Sequence, residues 1–336
     1  MAISHAASIL IKLNKKKMWN KFTSSQSNEP VKVAYVFPGQ GAQSVGMGRD
    51  LYDSFASAKA IFKQADEVLG FSLSKLCFEG PEEELRLTIN TQPAILTVSF
   101  VYLKVAQEVS GGSLPAPAFV AGHSLGEYTA LAAANVLDFA TTVYLARERG
   151  RLMYEAGLKE PGGMVAILGL NEDMLIEVCN QTDTRIANFN CPGQLIISGA
   201  TKNLPGASEL AKAKGASRTI PLEVSGAFHS PLMQPAREGL FEKIAGITFR
   251  DPAIPIIGNV TAKPLTTAEA IKTELIEQLC NCVQWQRSIE YMINNGVSAF
   301  YEIGPGKVLN GLIKRINKNT DIRNIGDIAA IRSLGK

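Results

Sequence analysis

The sequence predicts an α/β fold, a mainly parallel sheet in a large subdomain interrupted by a smaller inserted unit. Three observations lead there. Short β-branched runs alternate with longer amphipathic stretches from Val31 onward; one such run passes directly into Gly122-His123-Ser124-Leu125-Gly126; and residues 164–224 read strand, helix, strand, strand, helix, strand.

The elements follow in order. Val31 to Phe37 is apolar and β-branched and ends at Pro38-Gly39, the pattern of a buried strand. Arg49 to Val68 has helical spacing, and Gln92 to Val109 is a long apolar helix closed by Gly111 and Gly112. Phe119 to Gly122 reads as a strand and Gly126 to Ala134 as the helix after it. In the middle, Met164 to Leu170, Arg185 to Phe189, Gln194 to Ser198 and Arg218 to Val224 read as strands, with helices at Glu172 to Cys179 and Ser208 to Lys214. That βαββαβ order is the ferredoxin-like unit. Ile254 to Val260 and Ser298 to Ile303 then return to sheet-like sequence, so the unit is an insertion. The expected organisation is a large subdomain from 31–157 and 225–316, a small one at 158–224 and a C-terminal segment at 317–336.

Residues 1–30 differ from the rest. Lys12, Lys15, Lys16, Lys17 and Lys21 precede the first acid, Glu29, and Arg is absent. Organellar targeting peptides are basic, acid-poor and Ser-rich but favour Arg, so a disordered extension, or a start at Met18, competes with a transit peptide. A cytoplasmic protein is expected, with an organelle as the alternative.

Composition narrows the function. The chain of 336 residues is 46% hydrophobic and carries a net charge of only +3, which suits a globular enzyme and lacks the basic excess of a nucleic-acid-binding domain. Its apolar runs fall short of the roughly 20 residues that a membrane span needs. The five cysteines contain no C-x-x-C pair, so neither a disulfide framework nor a zinc site is expected.

Gly122-His123-Ser124-Leu125-Gly126 is G-x-S-x-G between a predicted strand and a predicted helix, the context of a nucleophile elbow. Such a turn exposes the Ser124 hydroxyl at a helix N-terminus, where free amides favour a developing oxyanion. A serine hydroxyl needs a base, most often histidine. Of three histidines, His5 lies in the atypical tail and His123 adjoins the nucleophile with a diverging side chain, which leaves His229, in a glycine-containing turn after a predicted strand. An esterase of the α/β-hydrolase type would carry its histidine near the C-terminus with an acid before it. Here about a third of the chain follows His229, and no Asp stands in an orienting position.

With Phe37-Pro38-Gly39-Gln40-Gly41-Ala42-Gln43, Gly122-His123-Ser124-Leu125-Gly126-Glu127-Tyr128 and Gly226-Ala227-Phe228-His229-Ser230, the sequence resembles malonyl-CoA:acyl carrier protein transacylases from about Val31 to Arg315. Val283-Gln284-Trp285 and Gly304-Pro305-Gly306-Lys307-Val308-Leu309 resemble further motifs of that family in the same order. The resemblance implies a hydrolase-like large subdomain in which Ser124 is acylated and His229 is its base, oriented by a backbone carbonyl at Gln284. It implies an oxyanion hole from the amides of Gln40 and Leu125, and a malonyl carboxylate held by Arg149. Arg147 is expected on the surface, where helical arginines are usually solvated. Phe228 is the residue type of malonyl-selective members, and Asn188, Asn190 and His123 are candidate cleft residues. The implied substrates are malonyl-CoA and an acyl carrier protein, approached through a modest basic surface including Lys314, Arg315 and Lys318. No cofactor or metal is implied, since coenzyme A enters as a thioester substrate, and a monomer is expected. A hydrolase would use the same elbow but release the acid, and a scaffold would not need Ser124, His229 and Arg149 together.

Overall fold

The computed structural model describes residues 31–335; the N-terminal extension at 1–30 lies outside the described residues. Six strands form the large sheet: β1 (Lys32–Phe37), β2 (Pro117–Gly122), β7 (Ile256–Ile257), β8 (Pro264–Leu265), β9 (Val297–Ile303) and β10 (Asp321–Ile325). Their order is β10-β9-β1-β2-β7-β8, parallel throughout except for the short β8. Parallel strands need covering on both faces, and β1 shows how this chain supplies it. Val33, Tyr35 and Phe37 pack into one apolar cluster with the long helix Thr88–Val109, while Ala34 and Val36 point the other way, toward Trp285, Ile289 and Leu309.

Between β2 and β7 the chain builds a second sheet from β3 (Gly162–Leu168), β4 (Arg185–Cys191), β5 (Gln194–Ala200) and β6 (Arg218–Pro221), in the order β4-β5-β3-β6. Every pairing in it is antiparallel, and with the helices Glu172–Thr182 and Leu204–Ala213 it forms the expected βαββαβ unit. Alternation divides its faces. Val165, Ile167, Leu195 and Ile197 pack on those two helices, whereas Met164, Ala166, Asn188, Asn190 and Ile196 line a cleft.

Several elements depart from the sequence reading; in the small unit the second helix starts at Leu204 and the last strand ends at Pro221. The helix expected over 49–68 is two helices, Arg49–Ser54 and Ala56–Leu69, because Phe55 takes an extended backbone. The long helix starts at Thr88 and contains Pro93, whose ring removes the bond to the Ile89 carbonyl. Arg147, expected on the surface, fills that vacancy by donating to Ile89 O at 2.8 Å. Of the strand expected over 254–260 only Ile256 and Ile257 pair with β2, since the Gly258 amide turns to the Lys263 carbonyl and Asn259 leaves the sheet. The segment after Ile316, set apart in the sequence reading, supplies β10 at the sheet edge.

Candidate active site

β1 and β2 run parallel with Phe37 beside Gly122, so the loops at 38–42 and 122–126 leave the sheet at the same edge. Ligands of open α/β sheets gather at this carboxyl end of the strands. Ser124 turns there with φ 51°, a left-handed backbone that a non-glycine residue adopts only under local constraint. The flanking glycines are required by close approach. A Cβ at Gly122 would overlap the Gly126 backbone, and one at Gly126 would overlap the Phe37 carbonyl.

Ser124 Oγ lies 2.8 Å from His229 Nε2. His229 Nδ1 lies 2.7 Å from the backbone carbonyl of Gln278, which only accepts, so Nδ1 carries the proton and Nε2 is the free base. Burial, and next the nearby Arg149 charge, push His229 down to about 3, keeping the imidazole neutral. The expectation that Gln284 supplies the orienting carbonyl is therefore corrected: Gln278 does. Gln284 sits before the helix Trp285–Asn294, its carbonyl accepts from the Ser288 amide of that helix, and the preceding Val283 pairs with β4 on the small sheet.

Arg149, on the helix Phe139–Lys159, is 1% exposed. One guanidinium nitrogen donates to Gln92 Oε1 at 2.6 Å; the other donates to Gln278 Oε1 at 2.7 Å and stands 3.1 Å from Ser124 Oγ. The Tyr128 ring lies 5.4 Å below it. All these partners are neutral, and Nε has none among the described residues. A buried cation thus faces the nucleophile without a carboxylate bonded to it.

Gln40 and Leu125 border the same cleft, and among the described residues neither backbone amide donates a hydrogen bond. The Gln40 side chain is turned away to accept from Thr88 Oγ1 at 2.9 Å, and Thr88 in turn accepts from Gln92 Nε2 at 3.0 Å. The loop bearing Gln40 is thereby tied to the glutamine that holds Arg149. Phe228, 4% exposed, lines the cleft beside His229. His123 Nε2 bonds Asn190 Oδ1 at 2.8 Å, which turns this ring away from Ser124, and Asn188 joins the wall from β4. The cleft holds about 270 Å³. The three basic residues expected on the surface, Lys314, Arg315 and Lys318, are all exposed, and Lys314 also donates to Thr320 O and Arg315 to Gln194 Oε1.

Residues 34–335 match the acyl transferase domain family. The chain belongs to that family. It is 48% identical over 301 residues to the malonyl CoA-acyl carrier protein transacylase of Bacillus subtilis, covering 88% of this chain and 94% of that one. Against the enzyme of the same name from Escherichia coli K12 the identity is 45% over 287 residues, covering 84% and 92%. Among solved structures, a malonyl-transacylase in complex with a type II polyketide synthase acyl carrier protein superposes with TM-score 0.86 at 40% identity, covering 90% and 98%. An acyl carrier protein S-malonyltransferase from Vibrio cholerae gives 0.86 at 41%, covering 90% and 99%. Among the described residues of this acyl transferase, no helix is long and apolar enough to cross a membrane.

Sequence reasoning missed four polar residues behind the site. Gln278 lies near the end of an amphipathic helix, Gln92 inside an apolar one and Asn259 in what read as a strand; none carries a local signature. Glu127 stands in the sequence as the last polar residue of the Gly-His-Ser-Leu-Gly-Glu motif, with nothing local to mark a role.

Proposed function

We propose that this acyl transferase moves a malonyl group from coenzyme A to the phosphopantetheine thiol of an acyl carrier protein through a malonyl ester on Ser124. The observation that carries the reading is Arg149: a guanidinium buried to 1% exposure, bonded only to neutral oxygens and 3.1 Å from the nucleophile. An unpaired buried cation asks for an anion, and a guanidinium grips a carboxylate with two parallel charge-assisted bonds. Its nearness to Ser124 suits a short diacid, one end of which is the reacting thioester.

In the first half-reaction, Ser124 Oγ attacks the thioester carbonyl while its proton passes to His229 Nε2. The carbonyl oxygen takes up the negative charge between the free amides of Gln40 and Leu125, which need no reorganisation to receive it. As the C–S bond breaks, the imidazolium returns the proton to the leaving sulfur of coenzyme A. In the second half-reaction His229 takes the proton of the carrier thiol, the sulfur attacks the ester, and the proton goes back to Ser124 Oγ. The Gln278 carbonyl holds His229 in the required tautomer and stabilises the imidazolium, the work an aspartate performs in other serine enzymes. The malonyl carboxylate, once on Arg149, offsets the second largest influence lowering His229 and so raises its basicity in the loaded enzyme.

The cycle uses coenzyme A as a substrate and asks for no other group. The reading supplies malonyl units to fatty-acid or polyketide synthesis, and a cytoplasmic monomer is the form proposed. Direct support would be a malonyl label appearing on Ser124 and then passing to a carrier thiol.

A further inference from the structure

Behind the elbow lies a polar cluster that none of these chemical steps uses. Glu127 is 0% exposed and Asn259 1% exposed, and a buried polar side chain is costly unless its partners are in place. Asn259 Oδ1 accepts from the Ser124 amide at 2.7 Å, and its Nδ2 donates to the Gly122 carbonyl at 2.7 Å. One carboxamide thus spans the residues on both sides of His123. The Ser124 carbonyl is held as well, by Gln278 Nε2 at 3.0 Å.

Glu127 receives both holders. Its Oε1 accepts from the Asn259 amide at 2.9 Å and from Asn259 Nδ2 at 3.2 Å, and its Oε2 accepts from Gln278 Nε2. The directions of these bonds are set by the chemistry. Arg149 only donates, so Gln278 turns Oε1 to it and Nε2 to Glu127; the Ser124 amide only donates, so Asn259 turns Nδ2 to Glu127. Glu127 therefore meets three donors. Burial and the neighbouring Glu274 push its carboxyl up, and the donors and Arg149 act against that.

We propose that Asn259 and Glu127 form a positioning clamp, in which Asn259 holds the Ser124 turn in its left-handed conformation and Glu127 couples that turn to Gln278, the residue that carries His229 and Arg149. Nucleophile, base and carboxylate anchor then share one buried support. With Ser124's own amide engaged by Asn259, the Leu125 amide is the one left facing the cleft. The clamp rests on the acyl-transfer reading of Ser124, and its test separates the two.

The experiment is the pre-steady-state burst of Ser124 labelling by radiolabelled malonyl-CoA, with rate constant, amplitude and apparent KM recorded together with thermal melting. Asn259→Asp keeps the acceptor for the Ser124 amide but sets an oxygen against Gly122 O and Glu127; Glu127→Gln keeps the shape but turns one acceptor into a donor. Each is expected to lower the burst rate constant about tenfold to a hundredfold, the scale of slight misplacement of reacting groups, with KM little changed. In the double variant donor and acceptor are exchanged and the charge is conserved, so part of the loss should return. Asn259→Ser, too short to span the turn, gives the same loss should the Asn259→Asp variant fold poorly. A merely structural role would lower only the amplitude, leaving the rate constant of the surviving enzyme intact. That outcome, or wild-type rate constants in the variants, overturns the clamp while leaving the reading standing. Absence of label in the wild-type enzyme overturns the reading itself.

Discussion

Replacing Arg149 by alanine takes a guanidinium out of a site where it is 1% exposed and bonded only to Gln92, Gln278 and the Ser124 hydroxyl. In the free enzyme the loss is expected to be modest, because Arg149 itself lines the cleft of about 270 Å³ and its truncation opens a path for water to the glutamine oxygens it leaves unpaired. With malonyl-CoA bound it is large. The carboxylate then enters a water-poor pocket with no cation, and removing one partner of a buried charge pair costs about 2 to 5 kcal/mol. That converts to a fall in acylation kcat/KM of about 30-fold to about 5,000-fold for malonyl-CoA. Acetyl-CoA has no carboxylate, so its slow reaction should change little or rise, since the lost cation also lowered His229. The assay is single-turnover labelling from each donor, with melting temperatures as a control for folding. Equal losses for malonyl and acetyl donors would refute the reasoning and leave Arg149 as a structural residue.

His229→Ala should slow acylation by about a hundredfold or more with donor binding retained, the usual scale for a lost general base, and an unchanged burst rate would exclude His229. The pH dependence follows from His229, displaced from 6.5 to about 3 by burial and then by Arg149. Acylation kcat/KM of the free enzyme should stay level as pH falls through 6.5, and a limb centred there would contradict the placement. Stability carries the matching sign. In the unfolded chain the imidazole takes up its proton near 6.5 while the folded one stays neutral, so this group's share of stability is intact above 6.5 and is lost as pH falls toward 3.

What was legible in the sequence is what local pattern encodes. β1 and the βαββαβ order showed as β-branched runs between turn residues, and the elbow showed because two glycines around Ser124 are demanded by backbone overlap with Gly126 and Phe37. His229 emerged by elimination, and Arg149 only through resemblance, since nothing in a helical Arg-Glu-Arg separates the buried guanidinium from Arg147, which caps a carbonyl freed by Pro93. Gln278 could not be found that way. Its role lies in a backbone carbonyl, which any residue carries, and in a side chain meeting Arg149 and Glu127 across more than a hundred residues of chain. The resemblance points to Gln284 instead, which the pairing of Val283 with β4 carries away from His229. Asn259 was hidden because an apolar stretch reads as strand throughout, whereas Gly258 turns the chain toward Lys263 after only two paired residues.

The claim at the centre is a malonyl ester on Ser124, and intact mass spectrometry of the protein mixed with malonyl-CoA tests it most directly. Wild-type protein should gain one malonyl group, located by peptide mapping at Ser124, and should lose it to the phosphopantetheine thiol when holo-acyl carrier protein is added. The Ser124→Ala protein should gain none. A malonyl group that maps to another residue, or one that leaves as free malonate with the carrier protein present and unmodified, would contradict the account.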